Sequence, residues 1–381
     1  MTSITYITFI LYLVFLHLFG ARNTLQKKVS VLYTYCFLIV VVCFRGYIFT
    51  DVFSYKPFFD MLPTVSTIRS DDVVNLLWWE PGFFVYCLLI KSFSSNYFVY
   101  QFIDSLIDIL LLYKCLKYYR CNDSFSIMVF LSLSGLLLFF DMQRNIKAIL
   151  LFWYALRYID TEKKNFLAYC FYILLGITFH YSAVIYLFIT PLLFLPLNRQ
   201  RLLFLFFGVL LFSVFSRAIL LLAIPVITPL LTGRFLNMIN DYVYTKNSYS
   251  VSRFLSFGML EKIITFLLVY KNFLFLYRKN RIIVNVFVLY FSSYFLLNGF
   301  LEVSNRVSGL FVFNYSILWY QSFVCAKNKA NKLCILFVFF TYCILKMSLY
   351  SHPMQRYENI LFNYSTFEER KEIVEKTGNI R

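Results

Sequence analysis

The chain has 381 residues, of which 60% are hydrophobic and only 14% charged, and its formal net charge is +17. A soluble domain of this length cannot bury so much apolar side chain, because its surface must be largely polar, so a soluble enzyme is excluded. In a membrane protein the positive charge reflects basic cytoplasmic loops, and we therefore expect no nucleic acid as a partner. These properties predict an all-α, polytopic integral membrane protein whose surroundings are the lipid bilayer.

Apolar runs long enough to cross a bilayer recur along the chain and predict a bundle of about 12 transmembrane helices. The predicted spans are 4–20, 29–49, 97–114, 125–140, 145–160, 165–179, 183–197, 202–224, 255–274, 282–298, 308–324 and 332–350. A shorter apolar run, 81–90, either spans the membrane or re-enters it. Residues 1–350 are predicted to form a single multi-span transmembrane domain, followed by a polar C-terminal tail at 351–381. Residues 1–19 lack a basic start and a small-residue cleavage site, which predicts a retained first span.

Lysine and arginine are distributed unevenly between alternate loops, which predicts the orientation of the chain. One set, with about 18 basic and about 3 acidic residues, is predicted to be cytoplasmic: loops 21–28, 114–123, 157–164, 198–201, 271–281 and 327–332. The other set, with about 8 basic and about 7 acidic residues, is predicted to be external: loops 50–79, 141–147, 178–182, 225–253 and 298–306. This orientation requires residues 81–120 to make a single net crossing.

The side chains best suited to chemistry come from distant stretches of the sequence, yet this orientation places them all at the external membrane surface. They are Asp51 and Tyr55, then Trp78, Trp79 and Glu80, then Arg144 and Asn145, then His180 and Tyr181, and finally Asn305 and Arg306. A site assembled from loop ends above a helical scaffold is a common arrangement. The sequence therefore predicts one site at the external membrane surface.

Each of these residues also has a purely structural interpretation. Glu80 stands before a proline, and the two could simply begin a helix. Arg144 could anchor a span at the interface, and His180 could be a structural histidine in an apolar stretch. Arg306 could pair with Glu302 on a helix surface. The sequence leaves these alternatives open.

Ionisable residues also lie inside the predicted spans, where they are costly unless they face a wet cavity or an opposite charge. Asp104 and Asp108 are four residues apart and therefore share a helix face. Arg217 could pair with either of them, or it could bind a substrate. Glu261 and Lys262 could neutralise each other locally.

The order of these motifs resembles the EpsG family. The matching residues are Gly46, Thr50, Asp51, Tyr55 and Phe58, then Glu80 to Phe83, then Arg144, then His180, Ser182 and Ala183, and finally Arg306. The resemblance covers roughly residues 45–320 and rests on the order and spacing of the motifs together. One departure concerns the Arg motif, because the family usually shows Arg-Gln where this chain has Gln143, Arg144 and Asn145.

The EpsG family is grouped with the Wzy-type polymerases of bacterial capsule, exopolysaccharide and O-antigen repeat units. The resemblance implies polymerisation of lipid-linked oligosaccharide repeat units by a multi-pass protein of the bacterial inner (cytoplasmic) membrane. A glycan on polyprenyl diphosphate would be transferred to an acceptor repeat unit at the external face. The flippase and a chain-length regulator of the same pathway are then expected partners.

The resemblance also implies roles for individual residues. Arg144 and Arg306 are expected to bind the diphosphate, since arginine matches phosphate geometry. Glu80, Asp51 or His180 would act as the base or orient the acceptor. The remaining candidates are substrate-binding residues: Tyr55, Trp78, Trp79, Tyr181, Asn145, Asn305 and Arg217.

Several motifs are absent from the sequence, namely a GxxxxGK[ST] phosphate loop, an HExxH metal site and a GxSxG elbow. We therefore expect neither a metal nor a nucleotide cofactor. Two other functions remain open. A transporter or flippase of lipid-linked glycans should show inverted repeats with paired broken helices. A membrane acyltransferase that modifies surface polysaccharide is the other alternative.

Overall fold

The structure is a computed structural model that describes residues 2–68, 79–227, 257–326 and 328–377. Every regular element in these ranges is a helix, which confirms the predicted all-α class. Five of the described helical stretches are long and apolar enough to cross a membrane: Ser3–Gly20, Thr24–Cys43, Asp123–Phe140, Arg199–Leu222 and Lys329–Ser348. The fold is therefore that of a helical membrane protein.

The predicted number of about 12 transmembrane helices is not confirmed. Gln143–Ala155 has 13 residues, Phe166–Phe179 has 14 and Arg281–Leu296 has 16. A helix of about 15 residues extends about 23 Å, which is less than the roughly 30 Å of a hydrocarbon core. Tyr97–Tyr118 is long enough, with 22 residues, but it carries Asp104 and Asp108. An apolar run in the sequence is thus not always a full-length apolar helix.

Eighteen helices are named here among the described residues. In chain order they are α1 (Thr2–Gly20), α2 (Thr24–Leu38), α3 (Val52–Met61), α4 (Pro81–Phe93), α5 (Tyr97–Tyr118), α6 (Asp123–Phe130), α7 (Leu136–Phe140), α8 (Gln143–Ala155), α9 (Phe166–Phe179), α10 (Ile185–Ile189), α11 (Arg199–Ile227), α12 (Phe257–Lys271), α13 (Phe273–Lys279), α14 (Arg281–Leu296), α15 (Leu301–Gly309), α16 (Asn314–Cys325), α17 (Lys329–Ser348) and α18 (Phe367–Thr377). A π-helical turn, Ile39–Cys43, extends α2, and another, Leu131–Gly135, joins α6 to α7.

The chain divides into two compact units. The first comprises Met1–Phe188 and Asn328–Arg381, and the second is Ile189–Lys327. In the first unit α8 packs between α5 and α9. This division does not test the single transmembrane domain at 1–350 or the tail at 351–381, which stay predictions.

Asparagine begins several of the helices. The side-chain oxygen of an asparagine just before a helix accepts a hydrogen bond from a free amide of the first turn, which fixes where the helix starts. Such caps are Asn23 for α2, Asn96 for α5, Asn122 for α6, Asn165 for α9 and Asn280 for α14.

Helix α4, which contains the short apolar run 81–90, runs alongside α3. At its start the Phe83 ring lies 5.7 Å from the Phe58 ring. Near its end Lys91 Nζ donates to the carbonyl of Asp60 at 3.3 Å. Helix α4 has 13 residues, and whether the run 81–90 spans the membrane or re-enters it stays a prediction, as does the single net crossing of residues 81–120.

In the second unit, α14 packs against α11, α15 and α16. The predicted neutralisation of Glu261 by Lys262 is confirmed, since Lys262 Nζ donates to Glu261 Oε1 at 2.9 Å and both side chains are buried. Tyr290 also donates its hydroxyl proton to Glu261 Oε1, at 3.2 Å. Gly299 lies directly against α11, because a Cβ added there would lie 2.5 Å from Arg217 Cα.

Candidate active site

One carboxylate joins three helix ends in the first unit. Glu80 precedes α4, Arg144 is on the first turn of α8, and His180 follows α9. Arg144 Nη1 donates to Glu80 Oε2, and His180 Nδ1 lies 3.1 Å from Glu80 Oε1. The two oxygens of a carboxylate that is only 2% exposed are therefore held by two different partners. The structure thus brings together three residues that the sequence placed in one site.

The start of α4 explains how Glu80 reaches His180. Pro81 occupies the first turn, where its fixed φ suits a helix and its missing N–H costs nothing. Gly82 then lies against the end of α9, and a Cβ added there would be 2.2 Å from Thr178 Oγ1. Glu80 is therefore both a helix start, as the structural interpretation proposed, and the centre of a polar cluster.

Arg144 is surrounded by aromatic rings. Its Nε donates to the Tyr55 hydroxyl at 3.1 Å, and its Cζ lies 4.7 Å from the centre of the Trp79 ring and 5.7 Å from that of Phe83. A guanidinium over aromatic faces is attracted by the ring quadrupole. The side chain is 18% exposed and is directed into the protein by its ion pair, which a simple interfacial anchor would not require. No described residue accepts a hydrogen bond from its Nη2.

The arrangement leaves two groups available for chemistry. His180 is 28% exposed, and its Nε2 has no hydrogen-bond partner among the described residues. Arg144 Nη2 is a second such group. One is an imidazole nitrogen that can accept a proton, and the other is a cationic donor that can bind an anion.

The EpsG family model matches residues 28–366. The chain belongs to the EpsG family. This confirms the predicted resemblance, and the match includes Tyr55, Glu80, Arg144 and His180. No curated protein and no solved structure matches the chain.

A second polar contact in this EpsG-family protein links the site to the chain before α3. The Asp141 carboxylate, which lies just before α8, accepts from Thr50 N at 2.8 Å and from Asp51 N at 2.5 Å. Asp51 in turn begins α3, because its carbonyl accepts from Tyr55 N at 2.9 Å. Asp51 therefore lies one helical turn before Tyr55, whose hydroxyl accepts a hydrogen bond from Arg144.

Below Arg144, α8 is anchored by a buried charge cluster. Lys147 Nζ lies 2.6 Å from Asp104 Oδ1 and 3.0 Å from Asp108 Oδ2, and all three side chains are almost fully buried. Lys147 is thus the cationic partner of these two aspartates, and it was not predicted from the sequence. Its presence in a predicted external loop, one turn after Arg144, was the signal that could have identified it.

The electrostatics of Glu80 follow from its two partners. Burial alone would raise the pKa of the Glu80 carboxyl, but the hydrogen bond with His180 and the positive charge of Arg144 lower the pKa to about 2. The carboxylate therefore stays charged near neutral pH and is a weak proton acceptor. It is better suited to orienting its partners than to acting as the base.

The other predicted site residues have different surroundings. Tyr181 is exposed beside His180, whereas Asn145 is buried on α8. Asn305 and Arg306 lie on α15 and Arg217 lies on α11, all within the second unit. Trp78 lies outside the described residues. Among the residues searched, no group of three His, Cys, Asp or Glu side chains could hold a metal ion.

Proposed function

We propose that this EpsG-family protein polymerises lipid-linked oligosaccharide repeat units. In this reaction a glycan is transferred from polyprenyl diphosphate to a hydroxyl of an acceptor repeat unit at the external face of the bacterial inner membrane. The single observation that carries the proposal is the Glu80 carboxylate, which holds His180 on one oxygen and Arg144 on the other. A general base and a diphosphate-binding cation are thereby fixed side by side.

His180 is the base in this proposal. When its Nδ1 proton is donated to Glu80 Oε1, its Nε2 carries the lone pair and can accept a proton. A carboxylate that orients an imidazole in this way is a recurrent catalytic arrangement. The acceptor hydroxyl then attacks the anomeric carbon of the glycan while its proton moves to Nε2.

Arg144 stabilises the leaving group. As the new glycosidic C–O bond forms, the bond between the anomeric carbon and the diphosphate oxygen breaks, and negative charge grows on the diphosphate. The Nη2 donor of Arg144 can bind that oxygen, while Nε and Nη1 remain on Tyr55 and Glu80. The product polyprenyl diphosphate departs as an anion, so the step needs no further reactant.

The remaining candidates are assigned to substrate binding. Tyr181 is exposed and offers an aromatic face for a sugar ring, whereas Trp79 and Tyr55 contact Arg144 and are assigned to the site through that contact. Asp51 orients the acceptor in this scheme. Arg306, Arg217, Asn145 and Asn305 are further candidates, whose proposed roles in substrate binding rest on their positions in the sequence.

Deletion of the gene in its host, followed by analysis of surface glycan length, tests the proposal. We expect single repeat units to remain on the external lipid carrier, and a plasmid copy of the gene to restore long chains. A plasmid copy carrying His180→Gln should not restore them. Complete absence of external glycan in the deletion strain would instead indicate a flippase, and full-length glycan that lacks acyl groups would indicate an acyltransferase.

A further inference from the structure

The C-terminal segment, residues 351–377, packs against residues 40–58, which lead into the candidate site. Three main-chain hydrogen bonds join the two segments. They run from Phe49 N to Met354 O (3.0 Å), from Gly46 N to Glu358 O (2.9 Å) and from Ile360 N to Phe44 O (2.8 Å). Hydrogen bonds of this kind fix the path of both backbones, because buried amides and carbonyls need partners.

Arg370, on α18, connects the two segments through its side chain. The residue is 0% exposed. Its Nε donates to Tyr47 O at 2.7 Å, and its Nη2 donates to Met354 O at 3.0 Å. Its Nη1 lies 3.6 Å from Glu358 Oε1. A buried guanidinium is costly unless its donors are satisfied, and here carbonyls from both segments satisfy them.

Aromatic contacts attach α18 to α3. The Phe367 ring lies 5.3 Å from the Phe53 ring and 5.5 Å from the Tyr47 ring. Lys56 Nζ lies 5.1 Å from the centre of the same Phe367 ring. Phe53 and Lys56 lie on either side of Tyr55 on α3. Helix α18 therefore contacts the helix that carries Tyr55, the hydrogen-bond acceptor of Arg144 Nε.

A continuous set of contacts therefore links Arg370 to the site. Arg370 holds the carbonyl of Tyr47, and four residues later the amide of Asp51 is held by Asp141. One helical turn beyond, the Tyr55 hydroxyl accepts from Arg144. The match to the family model ends at residue 366, so α18 lies outside the matched residues.

We propose that residues 351–377 form a clamp that fixes α3 against α8, and that Arg370 is a positioning residue for glycan transfer. This inference rests on the proposed function. Without Arg370 the Tyr47 carbonyl loses its donor, residues 44–51 gain freedom, and Tyr55 no longer holds Arg144 in one orientation. Misplacement of a catalytic group by about 1 Å lowers turnover by up to about 100-fold, whereas partitioning of lipid substrates into the membrane is unaffected.

The test compares full-length variants in nanodiscs that contain a lipid-linked repeat unit. Arg370→Gln should lower kcat at least about 10-fold with KM changed less than about 3-fold. It should also accelerate hydrogen exchange of the Gly46 and Phe49 amides. The matched control is Lys376→Gln on the same helix, because Lys376 is 76% exposed and its ion pair with Glu372 lies on the surface. This control should change neither measurement.

The outcomes separate the inference from the proposed function. If the wild-type protein polymerises the repeat units and the Arg370→Gln variant has the same kcat and KM, the positioning role of Arg370 alone is overturned. Unchanged exchange at Gly46 and Phe49 would overturn the clamp. A wild-type protein that leaves repeat units unjoined would overturn the proposed function together with the positioning role. If the Arg370→Gln protein is not found in the membrane, Phe367→Leu replaces it in the test. This variant must lower kcat by a smaller factor with KM unchanged, or the inference fails.

Discussion

The Glu80 carboxylate and the Arg144 guanidinium form an ion pair although they are 64 positions apart in the sequence. His180 shares the same carboxylate from a third helix end. The strength of a partly buried ion pair depends on its geometry. Substitutions that change the charge or the shape of one partner therefore test the role of each residue separately.

Substitution of Arg144 by lysine should abolish most glycan polymerisation while the amount of protein in the membrane stays normal. Lysine is a point charge that cannot hold Tyr55, Glu80 and a diphosphate at once, whereas the arginine fork can. Arg157→Lys is the matched control, because Arg157 also stacks on a tyrosine, with its Cζ 3.7 Å from the centre of the Tyr154 ring, and it is not part of the proposed site. Glycan length on a gel is the measurement. Full-length glycan from both Arg144→Lys and Arg144→Ala would reject the assignment and favour Arg306.

The contribution of Glu80 to stability should disappear in acid. Its pKa is lowered from 4.5 to about 2, so its stabilising effect is complete above pH 4.5 and is lost as the pH falls toward 2. This shift corresponds to about 3 kcal/mol at pH 7 and to about half of that or less at pH 3. The measurement is the difference in melting temperature between wild type and Glu80→Gln in nanodiscs. A difference that stays constant or grows between pH 7 and pH 3 would contradict the ion pair.

Replacement of Lys147 by methionine should destabilise the protein by about 3–5 kcal/mol, because Asp104 and Asp108 would be left buried without a counter-charge. Adding Asp104→Asn and Asp108→Asn to this variant should restore much of the lost stability, since the buried charges are then removed together. Thermal unfolding of the single and triple variants measures both effects. A triple variant less stable than Lys147→Met would show that the aspartates have other partners.

Introduction of a methyl group at Gly82 should reduce activity more than stability. A Cβ there would lie 2.2 Å from Thr178 Oγ1 and 3.0 Å from the Thr178 carbonyl, so α4 must move away from α9 and separate Glu80 from His180. Gly208→Ala is the control, because a Cβ added at Gly208 meets nothing within 4 Å. Turnover of the lipid-linked substrate should fall for Gly82→Ala only. Equal turnover in the two variants would argue against the close approach of the helices.

Single cysteines in a variant that lacks the nine native cysteines test the predicted orientation. Tyr181→Cys should react with an impermeant thiol reagent added outside, because the position is exposed and lies in a predicted external loop. Lys163→Cys, in a predicted cytoplasmic loop, should react only after the membrane is permeabilised. Labelling of position 163 but not 181 in intact cells would reverse the orientation.

Much of the site could be predicted from the sequence because membrane topology constrains it strongly. The charge distribution placed Glu80, Arg144 and His180 on one side, and the structure brings them into contact. The partner of the two buried aspartates was not predicted, since Lys147 looked like part of an external loop. Pairing between residues on different helices depends on helix rotation, which the sequence does not specify.

The packing of the C-terminal segment could not be predicted for a different reason. Arg370 lies in a helix rich in charged residues, and its partners are mostly backbone carbonyls, which every residue possesses. The pattern of side chains in the sequence therefore does not predict the contacts of Arg370 with these carbonyls.

Pairing between the two ends of the chain also constrains how the protein is made. The Tyr357 hydroxyl donates to the carbonyl of Val41, which lies 316 positions earlier. At a synthesis rate of about 5–20 residues per second, the first partner waits about 16 to 60 s at the translocon before the second emerges. A chain truncated before Tyr357 would thus have its first apolar helices inserted while the Val41 carbonyl lacks this donor.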